Sequence, residues 1–239
     1  MDLLQIPRMI DISGVRTDVS MEEVDQIAQV AKQFRFICAF AMPCFTKIMV
    51  DKLRDEPDIM VGGVVGFPSG ADTTFVKVAD AKEMVSLGVD ELDMVINVGA
   101  LKSGRYELVR DDIRAVVEAA NGLPVKSILE VAYLTDDEIR RGAELAVEAG
   151  VTYVKTGTGW AGRPTTVEHI RLIKSVVGDN ALVKAAGGVR SLDTLLDMVD
   201  AGCSRFGIGL RSVVNIMGEV YSRTGEPWPE GIIKSNPVG

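Results

Sequence analysis

The sequence contains a single histidine, His169, and only three cysteines among its 239 residues. Metal-dependent aldolases and hydrolases usually draw on several histidine ligands, so this chain does not readily form such a site. The cysteines (Cys38, Cys44 and Cys203) show no CxxC spacing. This scarcity predicts chemistry that rests on lysines and carboxylates without a metal or other cofactor, and a reducing, cytoplasmic location.

Long apolar runs and an excess of positive charge are also missing. No apolar run approaches the ~20 residues needed to span a bilayer, and the N-terminus lacks the layout of a signal peptide. The formal net charge is −8, which argues against nucleic-acid and anionic-membrane partners. An anionic substrate would therefore need a locally positive pocket.

Short β-branched segments alternate with amphipathic segments along the whole chain. The predicted strands cover residues 8–13, 36–40, 60–65, 89–95, 125–130, 152–156, 182–186 and 205–209. Eight strand–helix units in this length predict a (β/α)₈ TIM barrel. We expect one domain over residues 1–224 and an irregular tail over 225–239, with a loop at 97–104 and a helix cap at 165–168.

Three lysines lie in the predicted strands. Lys155 ends an apolar run, and because strand side chains alternate, it faces the barrel lumen if Val151 and Tyr153 do. By the same rule Lys184 and Lys126 also face inward. Barrel enzymes place catalysis at the C-terminal ends of their strands, which is where these side chains converge.

A lysine amine attacks a carbonyl only when it is neutral, and its ordinary pKa near ~10.4 keeps it protonated at pH 7. Burial and a second cation both lower that pKa. Lys184 is the natural second cation and Lys126 a possible third. The pattern favours Lys155 as a Schiff-base nucleophile, with Asp93, inward on the fourth strand beside Glu91, as the acid/base.

The alternative interpretation is structural: Lys155 and Asp93 form an ion pair that merely fills the lumen. Three inward lysines with few inward carboxylates would leave positive charge uncompensated, which disfavours that interpretation. A wider proton relay is predicted from the other polar inward positions, which are Lys126, Asp11, Ser13 and Cys38.

Glycines follow the last three predicted strands. Glycine lets backbone amides approach an anion, and the loops after strands seven and eight often form a phosphate-binding site in this fold. The alternative is that these are ordinary turn glycines. The predicted phosphate-binding residues are Gly157, Gly159, Gly187, Gly188, Arg190, Gly207, Gly209 and Arg211.

From about residue 8 to 221 the chain resembles the 2-deoxyribose-5-phosphate aldolase family. The resemblance rests on four stretches: Asp-Glu-Leu-Asp93-Met-Val-Ile-Asn-Val-Gly-Ala-Leu-Lys-Ser-Gly, Lys126-Ser-Ile-Leu-Glu, Val-Lys155-Thr-Gly-Thr-Gly and Val-Lys184-Ala-Ala-Gly-Gly-Val-Arg. It implies a class I aldolase on a TIM barrel. In the family, the lysine matching Lys155 forms the Schiff base.

The resemblance also implies roles for other positions. The lysine matching Lys184 tunes the Schiff-base lysine, and the aspartate matching Asp93 relays protons. The glycines matching Gly187, Gly188 and Gly207 belong to the family's phosphate site. The implied reaction is reversible, metal-independent cleavage of 2-deoxy-D-ribose 5-phosphate to D-glyceraldehyde 3-phosphate and acetaldehyde, an aldehyde-lyase activity of carbohydrate catabolism.

Three stretches depart from the family pattern. The usual Asp-His-Thr or Asp-Leu-Thr is Asp11-Ile-Ser13, and Thr-Ser-Thr-Gly-Phe is Thr156-Gly-Thr-Gly-Trp160. After strand eight, where small hydroxyl residues commonly hold phosphate, the chain has Gly209-Leu-Arg211-Ser212. We therefore expect a divergent phosphate-site loop, with the usual donors missing or replaced by an arginine.

Two alternatives to deoxyribose-phosphate cleavage stay open at this stage. The first is a related Schiff-base aldolase that acts on a different sugar or aldehyde pair. The second is a sugar-phosphate-binding barrel without catalytic activity. The expected partners are a small phosphorylated sugar or aldehyde and further copies of the chain, in a dimer or tetramer.

Overall fold

The computed structural model describes residues 1–229 and 231. Its parallel strands form a closed barrel in sequence order, and the eighth strand pairs with the first. The predicted TIM barrel is confirmed. The strands are β1 (Ile10–Gly14), β2 (Cys38–Ala41), β3 (Met60–Val65), β4 (Glu91–Val95), β5 (Val125–Ile128), β6 (Tyr153–Lys155), β7 (Leu182–Ala186) and β8 (Arg205–Gly209).

Helices cover the outside of the barrel, and 3₁₀ helices precede β1 (Leu3–Met9) and follow β5 (Val131–Tyr133). The α-helices are α1 (Met21–Phe34), α2 (Pro43–Leu53), α3 (Thr74–Leu87), α4 (Val98–Lys102), α5 (Tyr106–Ala119), α6 (Asp136–Glu148), α7 (Val167–Val177), α8 (Leu192–Asp200) and α9 (Leu210–Thr224). Within the described part of the chain, none of them is long and apolar enough to cross a membrane.

Two local predictions were wrong, both because a capping side chain was misjudged. The expected loop at 97–104 contains α4, since the Asn97 side chain accepts a hydrogen bond from Ala100 N at 2.9 Å. The cap of α7 is Thr166 and not Thr165, and it forms a reciprocal capping box with His169. Thr165 instead turns inward, where its hydroxyl donates to the Ala186 carbonyl at 2.7 Å.

The chain leaves α9 at Gly225 and packs back onto the barrel. The Trp228 ring meets the rings of Phe34 and Tyr221 edge-on, with centroids 5.4 and 5.5 Å apart. The domain boundary at residue 224 stays a prediction. Residues 230 and 232–239 of the predicted irregular tail lie outside the described residues.

A buried ion pair outside the lumen joins α3 to α5. Lys77 Nζ lies 2.6 Å from Asp112 Oδ2 and donates to the Val95 carbonyl at 2.9 Å. Asp112 also accepts a hydrogen bond from the Thr74 hydroxyl at 2.8 Å. Both charged side chains are almost fully buried, so each depends on the other for compensation.

We expect Lys77→Met to lower the free energy of unfolding by about 3–5 kcal/mol, because Asp112 would keep a buried charge without its partner. Urea unfolding followed by circular dichroism measures the loss. The double variant Lys77→Met with Asp112→Leu is the control, and it should recover part of the lost stability. A loss below about 1 kcal/mol in the single variant would contradict this account.

Candidate active site

Strand register brings the charged residues of separate strands to neighbouring positions in the lumen. Asp93 pairs with Lys126 across β4 and β5, Lys155 with Lys184 across β6 and β7, and Lys184 with Arg205 across β7 and β8. We call the resulting group of buried, ion-paired side chains the charged cluster. Its members are Asp11, Glu91, Asp93, Lys126, Lys155, Lys184 and Arg205.

Asp93 lies between three lysines. Its Oδ2 accepts hydrogen bonds from Lys155 and Lys184, each at 2.7 Å, and its Oδ1 accepts one from Lys126 at 3.0 Å. Burial alone would raise the pKa of Asp93, but the three cations outweigh it and hold the pKa well below its ordinary value. Asp93 is therefore an ionised carboxylate within hydrogen-bonding distance of the Lys155 nitrogen.

Asp11 connects this group to Arg205, which was not among the predicted site residues. Asp11 Oδ2 lies 2.5 Å from Lys184 Nζ, and Asp11 Oδ1 accepts from Arg205 Nε at 2.5 Å. Arg205 Nη2 also donates to both carboxylate oxygens of Glu91, at 3.0 and 3.2 Å, and Lys126 forms an ion pair with Glu91. Alternation along β8 could have identified Arg205, because it shares a face with Gly207 and Gly209.

The expectation of few inward carboxylates was wrong. Three carboxylates lie in the cluster and each is ion-paired, so the lysines are better compensated than the sequence suggested. Arg205 nevertheless brings the number of cations to four, which leaves an excess of one positive charge in the cluster. Lys155 does pair with Asp93, as the structural interpretation holds, but it shares that carboxylate with two other lysines.

Burial lowers the pKa of Lys155, the ion pair with Asp93 opposes this effect, and the charges of Lys184 and Lys126 lower the pKa further. The resulting pKa is about 8. About a tenth of the Lys155 side chains are then neutral at pH 7, roughly two hundredfold more than at the ordinary lysine pKa. Lys155 is the group in this cluster best suited to attack a carbonyl.

We expect the rate at which Lys155 forms a covalent adduct with acetaldehyde to rise with pH and to level off above a midpoint of about 8. Below that pH the amine is protonated and cannot attack. The measurement is borohydride trapping at short times across a pH series, with the adduct located by peptide mass spectrometry. A midpoint near the ordinary lysine pKa, ~10.4, would contradict the assignment.

Lys184→Met is the comparison for this pH series. It removes a cation that lowers the pKa of Lys155, and it frees Asp93 Oδ2 to pair with Lys155 alone. Both changes favour the ammonium form, so the midpoint should move upward.

A cavity of about 220 Å³ opens at the C-terminal ends of the strands, with Lys155, Lys184 and Asp11 among its lining residues. Of the predicted residues, Ser13, Gly159, Gly187, Gly188, Arg190, Gly207 and Gly209 also line it. Gly187 and Gly188 have φ angles of +87° and +98°, and a Cβ at Gly188 would lie 2.5 Å from Pro164 Cβ. Only glycine fits this turn, which brings backbone close to the cavity.

Five predicted site residues do not line this cavity, and one of them is Asp93, which is fully buried beside Lys155 and Lys184. Lys126 and Cys38 are buried within the barrel. Burial is the main reason that the pKa of the Cys38 thiol lies well above its ordinary value. Gly157 faces Glu130 Oε1, which would lie 2.8 Å from a Cβ at that position. Arg211 lines only the adjoining groove beside α1 and α9, whereas its neighbour Ser212 lines both that groove and the cavity.

The mouth of the cavity is bordered by an aromatic pair. The Trp160 indole N–H donates to the Val15 carbonyl at 2.8 Å, and its ring meets Phe67 edge-on with centroids 6.1 Å apart. This contact ties the loops after β1, β3 and β6 together. Behind it, the buried carboxylate of Glu130 accepts hydrogen bonds from the backbone N–H and the hydroxyl of Thr158. Glu130 was predicted to end the fifth strand, but β5 ends at Ile128 and Glu130 has a left-handed φ of +57°, so its contact with the loop after β6 was missed.

Donor atoms of Asp11, Cys38 and Glu91 lie within 4.8 Å of one another, which raises the question of a metal site. Both carboxylates already bind Arg205, and the raised pKa of Cys38 keeps its thiol protonated. Metal ligands must be deprotonated and free to coordinate. A cation would also enter a cluster with an excess of positive charge, so these residues do not fit a metal.

The chain is similar to known proteins over most of its length. The family model described as DeoC/LacD family aldolase matches residues 12–223. A deoxyribose-phosphate aldolase from Sinorhizobium medicae is 44% identical over 217 residues, which cover 91% of this chain and 88% of the relative. One from Staphylococcus carnosus is 44% identical over 84% of this chain and 90% of the relative.

A solved structure gives the same result at the level of the fold. The tetrameric deoxyribose-phosphate aldolase from Aeropyrum pernix superposes with a TM-score of 0.81 at 25% identity, covering 93% of this chain and 98% of that one. Three observations agree on the family of this chain. They are the closed barrel, the buried lysines with their shared carboxylate, and the family match over residues 12–223. This chain belongs to the DeoC/LacD family of aldolases.

Proposed function

We propose that the chain catalyses the reversible cleavage of 2-deoxy-D-ribose 5-phosphate to D-glyceraldehyde 3-phosphate and acetaldehyde, as a class I aldolase that needs no metal. The observation that carries this proposal is the Lys155 amine, which lines the cavity, lies 2.7 Å from Asp93 and has a pKa of about 8. The names of the curated relatives support the choice of substrate.

In the first step the neutral amine of Lys155 attacks the aldehyde carbon of the open-chain sugar and gives a carbinolamine. Loss of water then forms an iminium ion. Both stages require a proton to move between the nitrogen and the departing oxygen. Asp93, the ionised carboxylate beside this nitrogen, accepts and returns that proton.

In the second step the bond between carbons 2 and 3 breaks. The 3-hydroxyl passes its proton to the Asp93 carboxylate, carbon 3 becomes the aldehyde of glyceraldehyde 3-phosphate, and the electron pair of the broken bond passes to the iminium as an enamine. Asp93 returns that proton to carbon 2 of the enamine, and addition of water then releases acetaldehyde and restores the Lys155 amine. The positive charge of Lys184 favours the neutral form of the regenerated amine.

We assign the substrate phosphate to the part of the cavity wall that is formed by glycines. Backbone near Gly187, Gly188, Gly207 and Gly209 is accessible there because these residues lack side chains. Arg190 and Ser212 complete the proposed phosphate site. Gly157 and Arg211 are left out of it because they do not line the cavity.

The test combines a covalent trap with a product assay. Borohydride added with acetaldehyde should reduce an imine on Lys155, and deoxyribose 5-phosphate should release acetaldehyde in a coupled dehydrogenase assay. Adduct formation with negligible turnover of deoxyribose 5-phosphate beside a better substrate would favour the related aldolase instead. The substitution of Gly209 and Leu210 where hydroxyl residues commonly stand is the observation behind that alternative. Tight sugar-phosphate binding without any imine would support the non-catalytic barrel.

Ser212→Ala tests the phosphate assignment. Loss of one hydrogen bond to a charged group costs roughly 1.5–3 kcal/mol, so KM for deoxyribose 5-phosphate should rise about 10- to 100-fold. Turnover of unphosphorylated deoxyribose should not change. Arg211→Ala is the matched control outside the cavity, and a larger KM effect there than at Ser212 would overturn the assignment.

We also propose a homo-oligomer in the cytoplasm. The tetrameric solved relative supports self-association. Three free thiols, at Cys38, Cys44 and Cys203, are typical of a reducing compartment. Light scattering on the purified chain would test the assembly, and a monomer at micromolar concentration would contradict it.

A further inference from the structure

Arg205 lies deeper in the lumen than the residues that meet the substrate. It does not line the cavity, it is 4% exposed, and it reaches from β8 across the barrel to Glu91 on β4. Its guanidinium uses Nε on Asp11 and Nη2 on Glu91. This divergent, planar geometry fixes the orientation of Asp11, because a guanidinium presents its donors in a rigid fork.

The second oxygen of Asp11 has no well-oriented hydrogen bond among the described residues, although Lys184 Nζ lies only 2.5 Å away. The direction in which this oxygen points therefore depends on the bond that Arg205 makes to the first one. Charges alternate along the path from Arg205 to Asp11, Lys184, Asp93 and Lys155. Arg205 is four contacts from the nucleophile and still part of the same electrostatic chain.

The charge count gives Arg205 a second effect. Without it the cluster would hold three carboxylates and three lysines, with no excess charge to disfavour an ammonium at Lys155. The guanidinium of Arg205 keeps its proton throughout the working pH range. Its contribution to the field in the lumen is therefore constant across that range.

We propose that Arg205 is a positioning residue of the aldolase site, which holds Asp11 against Lys184 and supplies the permanent excess positive charge that keeps Lys155 reactive near neutral pH. This inference rests on the proposed function, since it concerns the same nucleophile. Several titratable or charged groups surround Lys155 and enter the balance. They are Asp11 on β1, Cys38 on β2, Glu91 and Asp93 on β4, Lys126 on β5, Glu130 after β5, Lys184 on β7 and Arg205 on β8.

The sign of each substitution follows from the charge it removes. Arg205→Met removes a cation, and Asp11 stays ionised because Lys184 and Lys126 still lie 2.5 and 3.8 Å from it. The protonated form of Lys155 is then stabilised relative to the neutral amine, so the pH midpoint of adduct formation should rise. Glu91→Gln removes a negative charge with little change of shape, so the midpoint should fall. The double variant leaves the excess charge unchanged and should return near the wild-type midpoint.

The experiment measures the midpoint of acetaldehyde trapping on Lys155 for wild type, Arg205→Met, Glu91→Gln, the double variant and Arg205→Lys. We expect Arg205→Met to move the midpoint up by about one pH unit, which makes trapping about tenfold slower at pH 7. Arg205→Lys keeps the charge and should stay closer to wild type than Arg205→Met.

Outcomes separate this inference from the proposed function. A wild-type chain that traps no acetaldehyde on Lys155 overturns the proposed function itself. Normal trapping with one midpoint shared by all folded variants overturns only the role of Arg205, because lost stability alone lowers the amount of adduct without moving its midpoint. If Arg205→Met does not fold, Glu91→Gln tests the same balance from the opposite side, and an unchanged or raised midpoint there overturns the inference.

Discussion

Replacing Lys155 with alanine is expected to lower kcat for aldehyde release by about 10⁴-fold or more, the scale seen when a covalent nucleophile is removed. No other lysine of the charged cluster can take its place. Lys184 lines the cavity but contacts two carboxylates, at 2.5 and 2.7 Å, and Lys126 lies outside the cavity with its pKa raised, because Asp93, Glu91 and Asp11 outweigh its burial. Coupled assays of acetaldehyde release measure the loss of turnover, and borohydride trapping in parallel measures the loss of the covalent adduct.

Lys77→Ala is the matched control for Lys155→Ala. Lys77 is also a buried lysine paired with a single aspartate, but it lies between α3 and α5 and outside the lumen. Lys77→Ala should therefore lose stability while the folded fraction keeps its kcat. A borohydride adduct that persists in Lys155→Ala at the wild-type level would show that another group is the nucleophile.

Asp93→Asn is expected to separate imine formation from turnover. The amide cannot take up the proton that the reaction must move, so kcat should fall about 10²- to 10⁴-fold. Asp93 also opposes the lowering of the Lys155 pKa, so its loss leaves more amine neutral. The reduced adduct should still form on Lys155 at long incubation times, whereas the catalytic rate is lost.

Asp112→Asn controls for the loss of a buried carboxylate. Asp93→Asn leaves three lysines without their shared anion, so the variant should also be less stable by several kcal/mol. Asp112→Asn should lower stability without changing kcat of the folded protein. If Asp93→Asn keeps wild-type kcat per folded molecule, Asp93 is not the acid/base and its contacts serve stability alone.

Alternation along strands was sufficient to place the reactive residues in the lumen. Lys126, Lys155, Lys184 and Asp93 needed only the two-residue period of a strand, because every strand of a closed parallel barrel has one face inside. The same rule places Arg205 in the lumen, but an arginine at the start of a strand is readily explained as a solvent-exposed surface residue. The contribution of Arg205 to the charged cluster depends on which side chains face it across the barrel, and the spacing of residues in the sequence does not show which these are.

Residues of the loops were harder to predict. Gly157 and Gly159 are two positions apart in a glycine-rich loop, yet one faces Glu130 and the other lines the cavity. Arg211 and Ser212 are adjacent and both line the groove beside α1 and α9, but only the serine also lies on the cavity wall. Loop direction depends on contacts such as that between Gly188 and Pro164, which no local pattern encodes.

Closure of the barrel makes the site a property of the completed chain. The cluster draws on strands from β1 to β8, and its Asp11–Arg205 contact joins residues 194 positions apart in the sequence. Such distant pairings carry a large loop-closure cost and form late when a chain folds. A ribosome-bound nascent chain that lacks β8 holds Lys155, Lys184 and Asp93 but not Arg205, the cation that gives the cluster its excess positive charge. In the proposed mechanism, full activation of the Lys155 amine therefore requires the last strand to dock beside the first.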